Sequence, residues 1–488
     1  MATPIPTNQA TFTVEEIVAA TGATKVTGPS SGRFTGVTTD SRAVTVGSIF
    51  VALRGERFDG HAFAQAAFDK GAALLIVAAG SDVNVQAACI VEVADTLVAW
   101  GALARAHLER WRAAKPTRRV IAITGSAGKT TTKELACLLC SEVAPTHATL
   151  GNLNNRIGVP AVIFGLESGH EIAVLEMGMS LPGELDAITA FARPDIAIVT
   201  NVGIAHAEGV GGADGVMREK GAVYRALTRE GVAIVNADDE RATLAAEKTL
   251  GRIETFGTSE RAAYRMVRRE ALGHVGARVT LGCKGRELEV RFSLPGEVAA
   301  LDLAAALAAQ EAATGEALSA SRIEHALSSI RVEGRAETRV LPGDVLLLDD
   351  AYNANPASMH AALATLAEIA EERRRVVVLG EMKELGARAK EEHAALGEAL
   401  AAAGVTLAIG CGGLIDATLR RAADEGVEVH RAKTTDEAAA VAARFMRPGD
   451  AILVKASRSV GAERVVAALV KASESLPSAP KSASSEAG

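Results

Sequence analysis

The chain has 488 residues, which at roughly 150 residues per domain leads us to expect about three domains. Hydrophobic residues make up 48% and charged residues 23%, so global disorder is excluded. A net charge of −7 and an aromatic content of 3% argue against a general affinity for nucleic acid or an anionic membrane.

The N-terminus, MATPIPTNQATF, lacks a basic region followed by an apolar core, so it does not read as a secretory signal. No apolar run approaches the ~20 residues of a bilayer span. Five cysteines, few and odd in number, indicate a reducing cytoplasm. Cys137 and Cys140 fall inside the apolar helical pattern KELACLLC and read as core, not as metal ligands.

Residues 1–95 mix short strands with a helix over His61–Lys70, which reads as a small α/β domain. A linking helix over Asp95–Arg112 follows and opens a second segment, 96–332. Its apolar runs are VIAIT (120–124), IAVLE (172–176), IAIVT (196–200) and VAIVN (232–236). Continuous apolar strands alternating with helices predict a parallel sheet covered on both faces. A hairpin is expected over 276–293 with Lys284-Gly285 at its turn, then two Ala-rich helices over 298–329. A second alternation fills 333–472, with VLLLD (345–349), RVVVLG (375–380), VTLAIG (405–410), VEVH (427–430) and AILVK (451–455). It predicts a separate doubly wound domain. Residues 473–488 are Ser/Ala/Pro-rich, without apolar periodicity, and are expected to be disordered.

The strongest local signal is ITGSAGKTTT (123–132), lying between a buried strand and a helix. Gly125 and Gly128 let the backbone of Gly125-Ser126-Ala127-Gly128 wrap an anion, and amides at the helix start face phosphate oxygens. Lys129 supplies charge, and Thr130 and Thr131 follow at the helix start, Thr130 being the usual Mg²⁺ hydroxyl. The strict phosphate-loop pattern has a further Gly where Ile123 stands, so this is a shorter variant. Glu176 closes one parallel strand and His206 lies after another, at the ends where open α/β sheets place ligands; both are candidate metal neighbours. Lys220 shares a narrow helical stripe with Val216, Val223 and Leu227. A lysine there is costly unless paired or modified. It either snorkels to solvent or becomes a neutral amine able to take up CO₂ as a carbamate, an oxygen donor for Mg²⁺. In LLLDDAYNANPASM (346–359), Asn355 and Pro356 read as helix cap and first helical residue, and Asp350 as a partner for a ribose hydroxyl pair. KASRS (455–459) reads as a carboxylate or phosphate clamp. TTDSR (38–42) and LRGERFDGH (53–61) carry Arg42, Arg54 and Arg57 as a candidate anion-binding set.

These motifs together resemble the Mur ligases, ATP-dependent amino-acid and peptide ligases of peptidoglycan synthesis, over about residues 35–470. Beyond the phosphate loop, the resemblance rests on TLGNLNNRIGVP (149–160), EMG (176–178), AHAEGVGG (205–212), REKG (218–221), NADD (236–239), DDAYNANPASM (349–359) and KASRS (455–459). GNLNN together with YNANP resembles the dipeptide-adding branch. The resemblance implies an α/β protein of three domains. A central phosphate-loop ATPase domain would be flanked by a small N-terminal domain that binds a UDP-substrate and a C-terminal Rossmann-like domain. It implies a cytoplasmic, monomeric enzyme that uses ATP and Mg²⁺ and joins D-Ala-D-Ala to UDP-N-acetylmuramoyl-tripeptide through an acyl phosphate.

Carried over by motif, Lys129, Lys220, His206 and Glu176 are the implied catalytic set. Thr130, Glu176, His206 and a carbamylated Lys220 surround the metal. Asn236 lies toward adenine, Arg335 toward the nucleotide phosphates and Asp350 toward the ribose. Substrate contacts are implied for Asp40, Ser41, Arg42, Arg54, Asn152, Asn154, Asn155, Tyr352, Asn353, Asn355 and Lys455. Two departures fall in the third segment: Ala456 stands where Gly is expected, with Gly461-Ala462 in place of Met-Glu, and Met382-Lys383 lies in GEMKELG where GDMLELG is usual. A folylpolyglutamate-type ligase is the competing enzyme. A GTPase-like switch lacks its Asn-Lys-x-Asp guanine motif here.

Overall fold

A computed structural model describes residues 3–55, 58–203, 207–328 and 330–477. Among the described residues, three large sheets follow one another along the chain, besides a two-stranded pairing of Thr11–Phe12 with Phe34–Thr35. The first has five strands in the spatial order Lys25–Thr27, Cys89–Val93, Leu74–Ala78, Ile49–Val51 and Val37–Thr38, parallel after the first pair. Its strand Leu74–Ala78 serves two cores by alternation. Leu74 and Ile76 face the cluster containing Phe12 and Trp100, whereas Leu75 and Val77 face Phe50, Ala64 and Ala67. The helix expected over 61–70 begins as a 3₁₀ turn, Gly60–Phe63, and becomes α-helical over Ala64–Asp69. Asp59 caps that turn by accepting from the His61 amide.

The linking helix spans Thr96–Ala113 and is capped by Asp95, whose Oδ1 accepts from the Leu97 and Val98 amides. Trp100 packs its ring 4.8 Å from that of Phe164 and donates through Nε1 to the Ile157 carbonyl. One apolar cluster therefore runs from Phe12 and Ile17 through this helix to the central sheet.

The central sheet has nine strands. Arg119–Thr124 lies between Ile172–Glu176, with Thr146–Ala148 beyond it, and Ile196–Val199. Val232–Asn236 and Arg252–Gly257 continue the parallel side, and Tyr264–Ala271, Ala277–Cys283 and Arg286–Phe292 extend it as a meander. The expected hairpin is present, with Lys284 at φ +49° and Gly285 at φ +82°, the paired left-handed conformation of a tight hairpin turn. Strands 146–148, 252–257 and 264–271 are additions to the sequence reading. Two helices, Glu297–Thr314 and Ala320–Leu327, follow the meander, and the first packs against the phosphate-loop helix Lys129–Ser141.

In the third sheet, Glu337–Leu341 pairs antiparallel with Val345–Asp349, followed in parallel by Ala451–Lys455, Arg375–Gly380, Val405–Cys411 and Glu428–Ala432. The last helix, Glu463–Ser473, ends at a buried Ser473, one residue into the segment expected to be disordered. Residues 478–488 of that segment lie outside the described residues. Among the described residues, no helix is long and apolar enough to cross a membrane, and all five cysteines are free.

Candidate active site

Strand order brings the phosphate loop, Met177-Gly178 and Thr200-Asn201 to the same edge of the central sheet, where the connections depart on both sides of Arg119–Thr124. Gly128 is the N-cap of helix Lys129–Ser141 at φ +82°, and a Cβ there would meet Asp302 Oδ1 at 2.5 Å. A Cβ on Gly125 would strike Thr200 Oγ1 at 1.8 Å. Only glycine fits either position. Asn201 holds the loop from beneath: its carbonyl accepts from the Ser126 amide at 3.1 Å and its Oδ1 from the Ala127 amide at 2.9 Å. The Ser126 hydroxyl accepts from the Gly203 amide at 2.9 Å.

Lys129 Nζ donates to the Gly125 carbonyl at 2.7 Å. Burial lowers its pKa, opposed by the nearby Glu176 carboxylate and reinforced by Arg335. Glu176, 1% exposed, accepts from Thr130 Oγ1 and from Asn154 Nδ2, each at 2.8 Å. Its own amide donates to Thr149 Oγ1, and the Gly178 amide to the Asn154 carbonyl. The residues read separately as phosphate-loop hydroxyl, strand-end acid and GNLNN asparagine thus form one hydrogen-bonded chain.

Lys220 is 2% exposed and closes the helix Gly212–Lys220; Gly221 separates it from the short helix Ala222–Arg225, and Leu227 falls beyond both, so the stripe is not carried by one continuous helix. Burial pushes its pKa well below the usual lysine value, and the neighbouring Lys129 charge adds to this. His206 and Arg57 lie outside the described residues. Among the described residues, no group of three or more His, Cys, Asp or Glu side chains is arranged to hold a metal.

A cavity between the central and third sheets is lined by Ser126–Lys129, Thr131, Asn201, Asp302, Arg335, Asp350, Asn353, Asn355 and Lys455. Residues from two segments of the sequence reading therefore meet in one space. Arg335 stacks 4.3 Å over the Tyr352 ring, with Arg458 5.0 Å from it. Lys455 is 2% exposed; its Nζ donates to Asp350 Oδ2 at 2.5 Å and to the Asn353 carbonyl at 2.9 Å, so it is an internal strut of this wall. Asn236 does not line the cavity: its Nδ2 donates to the Thr200 carbonyl and its Oδ1 accepts from the Asp238 amide. Asn155 Oδ1 accepts from the Ile157 and Gly158 amides at the start of the helix Gly158–Phe164. Asn152 is engaged by the N-terminal segment through Thr3, at 3.2 Å in each direction. In the first domain, Asp40, followed by Ser41, pairs with Arg42 at 2.8 Å, and Arg54 with Asp59 at 3.0 Å.

Two polar cavity residues beside the phosphate loop escaped the sequence reading. Asn201 directly follows the apolar strand IAIVT and carried only that positional signal. Asp302 is the lone acid within the run VAALDLAAALAA, 4% exposed and beside Gly128. Burial holds its carboxyl well above the usual range, against the pull of the Thr132 hydroxyl and the Arg335 charge.

A glycine-rich anion loop, a buried strand-end acid, and arginine and aspartate presented from a second sheet define a phosphate-loop nucleotide protein of several domains. Three successive family models match: Mur ligase family, catalytic domain, over residues 33–121; Mur ligase middle domain, over 123–310; and Mur ligase, glutamate ligase domain, over 334–458. The UDP-N-acetylmuramoyl-tripeptide–D-alanyl-D-alanine ligase of Escherichia coli (strain K12) is 37% identical over 443 residues, covering 89% of this chain and 93% of the relative. A crystal structure of MurF from Acinetobacter baumannii superposes with a TM-score of 0.85 at 31% identity, covering 95% of this chain and 100% of that one. MurF ligase from Thermotoga maritima in complex with ADP gives 0.78 at 28% identity, covering 90% and 97%. The chain belongs to the Mur ligase family.

Proposed function

We propose that this protein is an ATP-dependent ligase joining D-Ala-D-Ala to UDP-N-acetylmuramoyl-tripeptide, the last cytoplasmic step in making the peptidoglycan precursor. The observation that carries this is the Thr130–Glu176–Asn154 chain, which joins the phosphate loop to the GNLNN segment. This linkage supports a reading in which a nucleotide's terminal phosphate and the peptide carboxylate meet beside Glu176. Near-complete coverage of ligases bearing that name supports the choice of substrates.

A carboxylate is a poor acyl donor because its oxygen leaves badly. In the first step a substrate carboxylate oxygen attacks the γ-phosphorus of ATP, the bond to the β-phosphate oxygen breaks, and ADP leaves. In the second, the dipeptide amine attacks the acyl phosphate carbon, phosphate departs with the bonding electrons, and the nitrogen loses a proton. Lys129 and Arg335 neutralise charge on the transferring phosphoryl group. Glu176 orients the Thr130 hydroxyl and the Asn154 amide, and Asp350, held by Lys455, takes the ribose.

Mg²⁺ fits these residues. The Thr130 hydroxyl and the buried Glu176 carboxylate are hard oxygen donors, with His206 and Lys220 added by motif. When bound, the ion supplies positive charge to the phosphates. Lys220, buried and held toward the neutral amine, is suited to react with CO₂, releasing a proton and gaining two carbamate oxygens.

The test is ADP release by the purified protein with UDP-N-acetylmuramoyl-tripeptide or D-Ala-D-Ala omitted in turn. Turnover is expected only when both are present with ATP. Turnover indifferent to the dipeptide overturns the proposal.

A further inference from the structure

Helix Pro356–Ile369 of the third segment lies along the central one and is tied to it at both ends. At about 1.5 Å per residue its 14 residues span about 21 Å. Near the far end, Glu368 and Arg269 form a two-bond ion pair at 2.5 and 2.6 Å. Midway, Gly296 lets the helix approach closely, since a Cβ there would lie 2.5 Å from Thr365 Oγ1. At the near end stands Asn355, 9% exposed. Its side chain has two different partners. Oδ1 accepts from the Ser358 amide at 2.9 Å, and Ser358 Oγ accepts from the Asn355 amide at 3.0 Å, a reciprocal cap. Nδ2 points the other way and donates at 3.2 Å to the carbonyl of Ser126, inside the phosphate loop.

We propose that Asn355 is a positioning residue for the nucleotide, its amide locking the third segment's helix onto the phosphate loop. This rests on the ligase reading for its substrates, but not for nucleotide binding. Capping needs only an oxygen; Ser and Asp supply one as well as Asn does. The bond to Ser126 needs the amide hydrogens and the reach of asparagine. The phosphate loop and the wall carrying Arg335 and Asp350 are then placed together, and nucleotide binding senses whether the helix is docked. The sequence assigned Asn355 to substrate; the geometry instead directs its amide at a backbone carbonyl.

The experiment compares Asn355→Ser, Asn355→Asp and Asn355→Ala in the full chain, by thermal unfolding, ADP titration calorimetry and steady-state ADP release. Ser and Asp are expected to unfold within about 2 °C of wild type because the cap survives. Their ADP Kd and KM for ATP are expected to rise about fivefold, the range of one lost hydrogen bond. The KM for D-Ala-D-Ala stays within twofold. Asn355→Ala loses both, with lower Tm and weaker nucleotide binding. Wild-type ADP affinity in Asn355→Ser overturns the proposal. So does weakened ADP binding confined to Asn355→Ala, which makes the side chain a cap only, or a KM rise confined to D-Ala-D-Ala, which makes it a substrate contact. Should wild type release ADP without the dipeptide, the ligase reading fails while the ADP titration still decides the role of Asn355.

Discussion

Replacing Gly128 with Ala strikes the phosphate loop at its tightest point. Gly128 stands at φ +82° and ψ −14°, and an added Cβ would lie 2.5 Å from Asp302 Oδ1 and 3.0 Å from Oδ2. Left-handed backbone costs an L-residue about 1–2 kcal/mol. Pushing the buried Asp302 side chain off its rotamer adds about 0.5–1.5 kcal/mol. A loss of about 2–3 kcal/mol is therefore expected in urea unfolding, with ADP affinity down at least about tenfold, since the loop amides rotate with the backbone. The two contributions separate in the double variant Gly128→Ala/Asp302→Ser. Removing the carboxylate relieves the collision and leaves the dihedral strain, so about half the loss should return relative to Asp302→Ser alone. Wild-type stability and ADP affinity in Gly128→Ala would refute the argument. Complete recovery in the double variant would refute the assignment of strain to the backbone.

Lys220→Ala should lower ADP release at least about 100-fold, with partial rescue by acetate or propionate if the missing groups are carbamate oxygens; an active variant rejects that role. Arg269→Ala strands the Glu368 carboxylate and should cost about 1–3 kcal/mol, with a cycle through Arg269→Ala/Glu368→Ala showing that the losses do not add. Asp302→Asn tests a pH dependence. The raised native carboxyl makes the folded protein bind this proton more readily than the unfolded chain, so wild-type stability falls as pH climbs from about 4 through the raised value. The variant should have the higher Tm at pH 8, and that advantage should shrink toward pH 4. An identical wild-type and variant profile removes Asp302 as the source.

What was legible in the sequence was local. The phosphate loop is one run of residues between a strand and a helix, so its glycines, Lys129 and Thr130 could be read where they stand. Lys220 announced itself as a charge in an apolar stripe, and Asn355 as a cap before proline. The strands Ile172–Glu176 and Val345–Asp349 matched their apolar runs end for end, because burial on both faces leaves no polar alternation to blur them. Strand Thr146–Ala148 is three residues long, and Arg252–Gly257 carries charge, so neither rose above its surroundings.

The rest was decided by distance in space. Asp302 sits in a helix buried on nearly every side, so periodicity had no polar face to single out, and its neighbour Gly128 is far away in sequence. Thr3 meets Asn152 across 149 residues, and Asn355 meets Ser126 across 229. Lys455 looked like a ligand clamp until the third sheet placed Asp350 against it. A residue's type sets which bonds it is able to make, and so the chain's motifs determined the chemistry on offer. Which partner takes each bond depends on close approach between segments, and only the packed sheets and helices supply that.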